Sequence, residues 1–171
     1  MKWKGVPRIE TDRLILRQMS AEDAPALLAC FQDPATSRYW FTPDHSLEQV
    51  HARVVRLEDD WRKNGFGDWA IVDRATDKFI GFAGLHYIAD MPEVNLGYLL
   101  AHSAWGRGLG TEACCAAIQF GFGAAGLKQI VGVTHPLNRA SIRVLEKVGM
   151  TFWKNVDRGG IPRVVYSTRA Q

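Results

Sequence analysis

Three glycines at alternate positions, Gly106, Gly108 and Gly110, stand at the entrance to a long apolar run. The segment reads Leu100-Ala101-His102-Ser103-Ala104-Trp105-Gly106-Arg107-Gly108-Leu109-Gly110 and continues at once into Thr111-Glu112-Ala113. Glycine reaches positive φ without a Cβ clash, so this run turns tightly and points successive N–H groups into one concavity. A helix start behind it adds about half a positive charge. Together they are a ready seat for a phosphate or pyrophosphate.

Two known phosphate loops do not fit. A P-loop needs Lys-Ser or Lys-Thr after its last glycine, and here Leu109 and Thr111 flank Gly110. A dinucleotide fingerprint needs Gly-x-Gly-x-x-Gly and an acidic residue about 20 positions on. The spacing here is Gly-x-Gly-x-Gly, and Gln129 and Ile130 occupy the acidic place. On this segment alone, a glycine-rich turn without a ligand stays open.

A second segment narrows the choice. It runs His135-Pro136-Leu137-Asn138-Arg139-Ala140-Ser141-Ile142-Arg143-Val144-Leu145-Glu146-Lys147-Val148-Gly149-Met150. Asn138 is a good N-cap, Ile142, Leu145 and Val148 recur at helical spacing, and Gly149 sits where a C′ glycine belongs. The two segments together resemble the GNAT superfamily of N-acetyltransferases, and within it the branch of ribosomal-protein N-terminal acetyltransferases. The opening Glu10-Thr11-Asp12-Arg13-Leu14-Ile15-Leu16-Arg17, then Ala21-Glu22-Asp23-Ala24 and Asp33-Pro34, is similar to the same branch. The resemblance spans nearly the whole chain.

Length and composition suit one enzyme domain over residues 1–171, since 171 residues with 47% hydrophobic content can bury a sizeable core. The net charge of +3 is compatible with an anionic cofactor. No long basic run points to nucleic acid. No apolar stretch approaches the ~18 residues of a membrane span, and no signal peptide opens the chain. Cys30, Cys114 and Cys115 form no disulfide or metal framework, which suits reduced thiols in the cytoplasm. The site is expected to need no metal.

The pattern of periods gives strands at 14–18, 68–73, 79–88, 93–101 and 129–134, and a closing hairpin of 151–157 and 163–168. Helices are expected at 21–31 with Ser20 as N-cap, 47–64 ended by Gly65, 111–125 and 139–148. The helix after the glycine loop is apolar nearly all round, which predicts burial. The alternation predicts an α/β fold with a mixed sheet. The resemblance implies a single-domain GNAT-like fold: a twisted mixed sheet with flanking helices, whose two central parallel strands splay apart to admit acetyl-CoA.

What the resemblance implies for the site follows residue by residue. The main chain of Leu99, Leu100 and Ala101 would pair with the pantetheine arm. The N–H groups of Arg107, Gly108, Leu109, Gly110 and Thr111 would take the pyrophosphate. Asn138 and Ser141 would face the cofactor. The acceptor is a primary amine, a protein N-terminus or a small molecule, and a homodimer is an assembly the resemblance allows. Tyr39, Trp40 and Phe41, three consecutive aromatics between two predicted helices, would form a wall of the acceptor site or pin a loop to the core. Trp61, Phe66, Trp69 and Phe82 suit core packing.

An amine must lose a proton before it attacks a thioester, and a positioned base is worth roughly 10²- to 10⁴-fold. The branch usually reads Glu-Ile-Gly-Tyr where this chain has Asn95-Leu96-Gly97-Tyr98. Asn95 cannot be a base. Period two puts Glu93, Asn95, Gly97, Leu99 and Ala101 on one strand face. Glu93 is therefore the expected base, through a water, with Asp90 and His86 in reserve. Many superfamily members carry a Tyr where this chain has Leu145, so Ser141 is the candidate acid for the leaving thiol. Tyr98, on the other strand face, reads as core. Two rival readings stay open: a non-catalytic acyl-CoA-binding domain, and a nucleotide-binding regulator that uses only the glycine loop.

Overall fold

The computed structural model describes residues 5–40 and 43–170. Eight strands form one open sheet: β1 (Ile9–Glu10), β2 (Leu14–Arg17), β3 (Asp68–Asp73), β4 (Lys78–Tyr87), β5 (Val94–Leu100), β6 (Gln129–Thr134), β7 (Thr151–Arg158) and β8 (Ile161–Arg169). Their order is β1-β2-β3-β4-β5-β6-β8-β7. Among the described strands, only β5 and β6 pair in parallel. That pairing has two registered positions, Val94↔Ile130 and Asn95↔Val131. Beyond Asn95 the two strands part.

Among the described residues five α-helices flank the sheet: α1 (Ala24–Gln32), α2 (Pro34–Ser37), α3 (Leu47–Asn64), α4 (Leu109–Phe122) and α5 (Arg139–Lys147). The mixed α/β architecture with a splayed parallel pair is the one expected from the sequence. One apolar cluster lies under α4 and includes Leu85, Leu96, Leu100, Leu109, Ala113, Ala117 and Ile130. The other lies under α1 and α3 and includes Leu27, Phe31, Val50, Leu57, Phe82 and Leu99. Leu96 and Leu100 thus face one layer and Leu99 the other, as a period of two requires. Trp61, Phe66, Trp69 and Phe82 are all buried.

Several boundaries differ from expectation, each for a local reason. Residues 21–23 form a 3₁₀ turn, and α1 takes up only at Ala24. Pro25 has no N–H to return to the carbonyl of Ala21. Asp33 caps the short α2 by accepting from Ala35 N–H at 2.9 Å, with Pro34 at N1. Helix α4 starts at Leu109, two residues before the expected Thr111, because the Gly108 carbonyl already accepts from Glu112 N–H. It ends at Phe122, short of Ala125, where Gly123 leaves the helical region. The hairpin turn between β7 and β8 is Gly159-Gly160, with φ of 64° and 80°, the left-handed pair that a two-residue hairpin favours.

Candidate active site

The glycine loop opens at the C-terminal end of β5. Gly106 and Gly108 have φ of 74° and 76°, which a β-branched residue rarely adopts. Gly110 has another reason to be small: a Cβ there would meet the Tyr98 ring at 3.1 Å. Helix α4 has no side-chain N-cap, because Gly108 occupies that position. Its first main-chain bond runs from Glu112 N–H to Gly108 O at 3.1 Å. The N–H groups of Leu109, Gly110 and Thr111 precede that bond and find no acceptor among the described residues. Three aligned donors at a positive helix end are what a pyrophosphate requires.

Charge pairs anchor this loop. Glu112 accepts from the Thr11 hydroxyl at 2.6 Å, from Arg13 N–H at 2.9 Å and from the Arg13 guanidinium at 2.7 Å. Arg13 also donates to the Arg107 carbonyl at 2.7 Å. The Arg107 side chain turns back to Asp73 at the end of β3, 2.9 Å away. The Arg107 carbonyl and guanidinium are thus both engaged within the protein. Burial raises the Glu112 pKa, but the Thr11 and Arg13 bonds outweigh it and hold the group below the usual carboxylate range. The Ala75 N–H and then Arg107 do the same for Asp73.

Of the three residues expected to meet the pantetheine arm, one has the right aspect. Ala101 N–H donates to Ile80 O on β4 at 2.8 Å. The Leu99 carbonyl also faces β4, since it lies 2.0 Å from where a Cβ on Gly81 would be. By alternation, Tyr98 and Leu100 turn their main-chain groups into the β5–β6 gap. The Leu100 carbonyl accepts there from the Trp105 indole at 2.9 Å. Leu99 and Ala101 are instead occupied by the β4 ladder, which period-two reading without a known neighbour strand could not decide.

On the α4 side of the gap, Asn138 caps α5, its Oδ1 accepting from Ser141 N–H at 3.2 Å. The Ser141 hydroxyl lies 3.3 Å from the Tyr98 hydroxyl. Tyr98 is therefore more than core packing: its ring borders the loop at Gly110 and its hydroxyl reaches across to α5. Burial pushes its pKa up to about 12, so it keeps its proton at neutral pH.

On the opposite face, the last paired residue is the hub. Asn95 is 6% exposed. Its Oδ1 accepts from Val133 N–H on β6 at 3.0 Å. Its Nδ2 donates to His86 Nε2 on β4 at 3.2 Å. The other His86 nitrogen, Nδ1, donates to Asp68 Oδ1 on β3 at 3.0 Å. The ring lies against Gly97, where a Cβ would come within 2.6 Å of His86 Cε1. Asp68 and His86 as a linked pair were missed in the sequence; they lie on separate strands and share no motif.

Glu93 stands just before β5, on the closed side of both parallel pairs. Its Oε2 is buried without a hydrogen-bond partner among the described residues. Tyr39 stacks on His135, with ring centroids 5.3 Å apart and planes at 23°. Trp40 turns inward instead, 5.8 Å from Phe31 and 5.4 Å from Phe82. The aromatic run thus splits between a wall beside the end of β6 and the α1 core. Phe41 lies outside the described residues. Cys30 and Cys114 are buried free thiols and Cys115 is half-buried. No group of metal-ligating side chains occurs among the described residues.

Residues 13–151 match the model of the acetyltransferase (GNAT) domain family. The uncharacterized N-acetyltransferase YoaA of Bacillus subtilis is 34% identical over 145 residues, 84% of this chain and 82% of the relative. A crystal structure of an acetyltransferase from Agrobacterium tumefaciens superposes with a TM-score of 0.86 at 28% identity, covering 99% of this chain and 98% of the other. The fold is also shared with RimL, a ribosomal L7/L12 α-N-protein acetyltransferase solved in complex with coenzyme A, at a TM-score of 0.82 and 17% identity, covering 95% and 98%.

Proposed function

The chain belongs to the GNAT acetyltransferases, and we propose that it moves an acetyl group from acetyl-CoA to a primary amine by direct transfer in a ternary complex. The observation that carries this reading is the short seam between β5 and β6. The ladder stops at Asn95, and an uncapped helix start stands at the open end of the gap. A long, flexible thioester with a pyrophosphate at one end matches that shape and its free donors.

In this reading residues 1–171 act as one N-acetyltransferase domain in the cytoplasm, without a metal. The N–H groups from Arg107, Gly108, Leu109, Gly110 and Thr111 hold the pyrophosphate. Leu100, between Leu99 and Ala101, offers main-chain partners to the arm, and Asn138 and Ser141 border it from α5. Acetyl-CoA supplies the activated acyl thioester. Glu93 takes the amine proton through a water, a role that suits an Oε2 with no hydrogen-bond partner among the described residues. Ser141, joined to the protonated Tyr98, returns a proton to the leaving sulfur. Tyr39 and Asn95 border the amine, while Trp40 packs into the α1 core behind them. The acceptor is a protein N-terminus or a small amine. A relayed carboxylate deprotonates an ammonium less well than a direct one, so activity is expected to rise with pH.

The test is thiol release from acetyl-CoA against N-terminal peptides, polyamines, amino acids and aminoglycosides. Saturation by both substrates with intersecting reciprocal plots supports direct transfer. Parallel plots indicate an acetyl-enzyme and overturn it. Tight CoA binding with no thiol release from any amine favours the non-catalytic acyl-CoA-binding alternative.

A further inference from the structure

The hydrogen bonds around Asn95 leave little freedom in where protons sit. Val133 N–H can only donate, so the Asn95 atom facing it is the oxygen. The amide nitrogen then faces His86 Nε2, and it too can only donate. His86 must therefore present a lone pair at Nε2 and carry its proton at Nδ1, where Asp68 accepts it. The chain of bonds runs from β3 through β4 and β5 to β6. It crosses the seam at the point where the parallel strands part.

We propose that Asp68, His86 and Asn95 are positioning residues that fix the apex of the acyl-CoA cleft, and that they do so only while His86 is neutral. The proposal rests on the acetyltransferase reading above and adds to it a proton-controlled setting of the same cleft. A second proton on His86 places an N–H opposite the Asn95 amide N–H. Asn95 must then turn its oxygen to the ring, which leaves two donors facing each other at Val133. One of the two bonds is lost in either orientation, and the bond to β6 is the one that sets the gap.

The groups acting on His86 are its hydrogen-bond partners Asp68 on β3 and Asn95 on β5 and, through charge alone, Asp60 and Arg53 on α3. Burial lowers the His86 pKa, and the charge and hydrogen bond of Asp68 more than offset it, so it stands above the ordinary imidazole value. The sign for stability follows. A raised folded-state pKa contributes stability that is fully present below the unfolded value and is lost as pH rises through the folded one. Acidification through this range therefore tightens the Asp68–His86 pair while it undoes the Asn95–Val133 bond. Fold stability and cofactor affinity move in opposite directions.

The experiment is calorimetric titration of the full chain with CoA, from about pH 8.5 down to about pH 5.5, paired with melting curves. Wild-type affinity is expected to fall about fivefold or more while the melting temperature does not fall. His86→Gln keeps an acceptor near the reach of Nε2 but cannot titrate, so its change over the same range is expected to stay below about twofold. Comparing two proteins with one ligand cancels the protonation of CoA itself. Asn95→Asp accepts from both Val133 and a doubly protonated His86, and is expected to flatten or reverse the pH dependence. Nitrogen-15 spectra of the neutral ring are expected to show the proton on Nδ1. An Nε2–H tautomer, an equal pH slope in wild type and His86→Gln, or a parallel loss of affinity and melting temperature overturns the proposal. Absence of CoA binding by the wild type at every pH overturns the acetyltransferase reading itself, and the proposal falls with it.

Discussion

At the open end of the β5–β6 gap two arginines half in water hold the buried carboxylate of Asp73 and the nearly buried one of Glu112; at its closed end Asp68, His86 and Asn95 are hydrogen-bonded one to the next, with Asp68 and Asn95 buried. Arg13 and Arg107 are 50% and 47% exposed, so water and salt screen their pairs with Glu112 and Asp73. Asp68 and Asn95 are each 6% exposed, and no solvent replaces a lost partner there. The open end can therefore lose one contact and keep its shape through the others. At the closed end each bond depends on the next, and an orphaned buried donor costs about 1–3 kcal/mol. The acid responses differ as well. Glu112 and Asp73 have lowered pKa values, so their contribution is present above the unfolded carboxylate range and is lost as pH falls below it. The closed end changes state at the pH where His86 gains a proton, well before that.

Substitutions at each end sharpen this contrast. The largest expected effect is at the closed end, where Glu93→Gln lowers kcat/KM roughly tenfold to a hundredfold with CoA affinity unchanged. Full activity at pH 7 with the true acceptor removes Glu93 as the base. Next comes Trp40→Ala on the α1 side. Because the indole packs on Phe31 and Phe82, it is expected to cost about 2 kcal/mol, or roughly 4–8 °C in melting temperature. A raised acceptor KM with an unchanged melting curve would show instead that the ring serves the substrate. At the open end, Gly108→Val is expected to weaken CoA binding at least tenfold, since the loop needs φ of 76° there and an unobstructed approach. Equal affinity by calorimetry removes the pyrophosphate assignment. The smallest effect is Glu112→Gln, which keeps part of its hydrogen bonding and is expected to cost less than about 1 kcal/mol in urea unfolding. A loss of about 2 kcal/mol or more, the cost of an orphaned buried donor, would erase the distinction between the two ends.

The open end was legible in the sequence because it is written in one contiguous stretch. Gly106, Gly108 and Gly110 state a main-chain geometry, and Asn138 states a cap, without help from distant residues. Helix α3 was legible for the same reason, its end marked by Gly65, which the structure places in the left-handed region. The closed end was not. Asp68, His86 and Asn95 are brought together by strand register, Asp68↔Gly84 and His86↔Asn95, and register is a tertiary fact. His86 could be read only as a reserve base or a polar strand residue, and Asn95 only as a missing carboxylate beside the acceptor. Which way the main-chain groups of Leu99 and Ala101 face was not legible, for a related reason. Alternation says that neighbours differ, but only the position of β4 says which of them face the gap.

The seam between β5 and β6 also divides the molecule mechanically. To one side, β1 to β5 are an unbroken antiparallel block; to the other, β6, β8 and β7 are a second one. Two parallel pairs, the Asn95 bond to Val133, the Tyr98 contact with Ser141 and the packing of α4 join them. A boundary with so few main-chain bonds is where a sheet breathes first. Amide protons at the β5 edge of β6 are expected to exchange with solvent ahead of those in the β6–β8 ladder. A thioester lying in the gap would act as a substitute strand, tying the blocks together and slowing that exchange for as long as it stays bound.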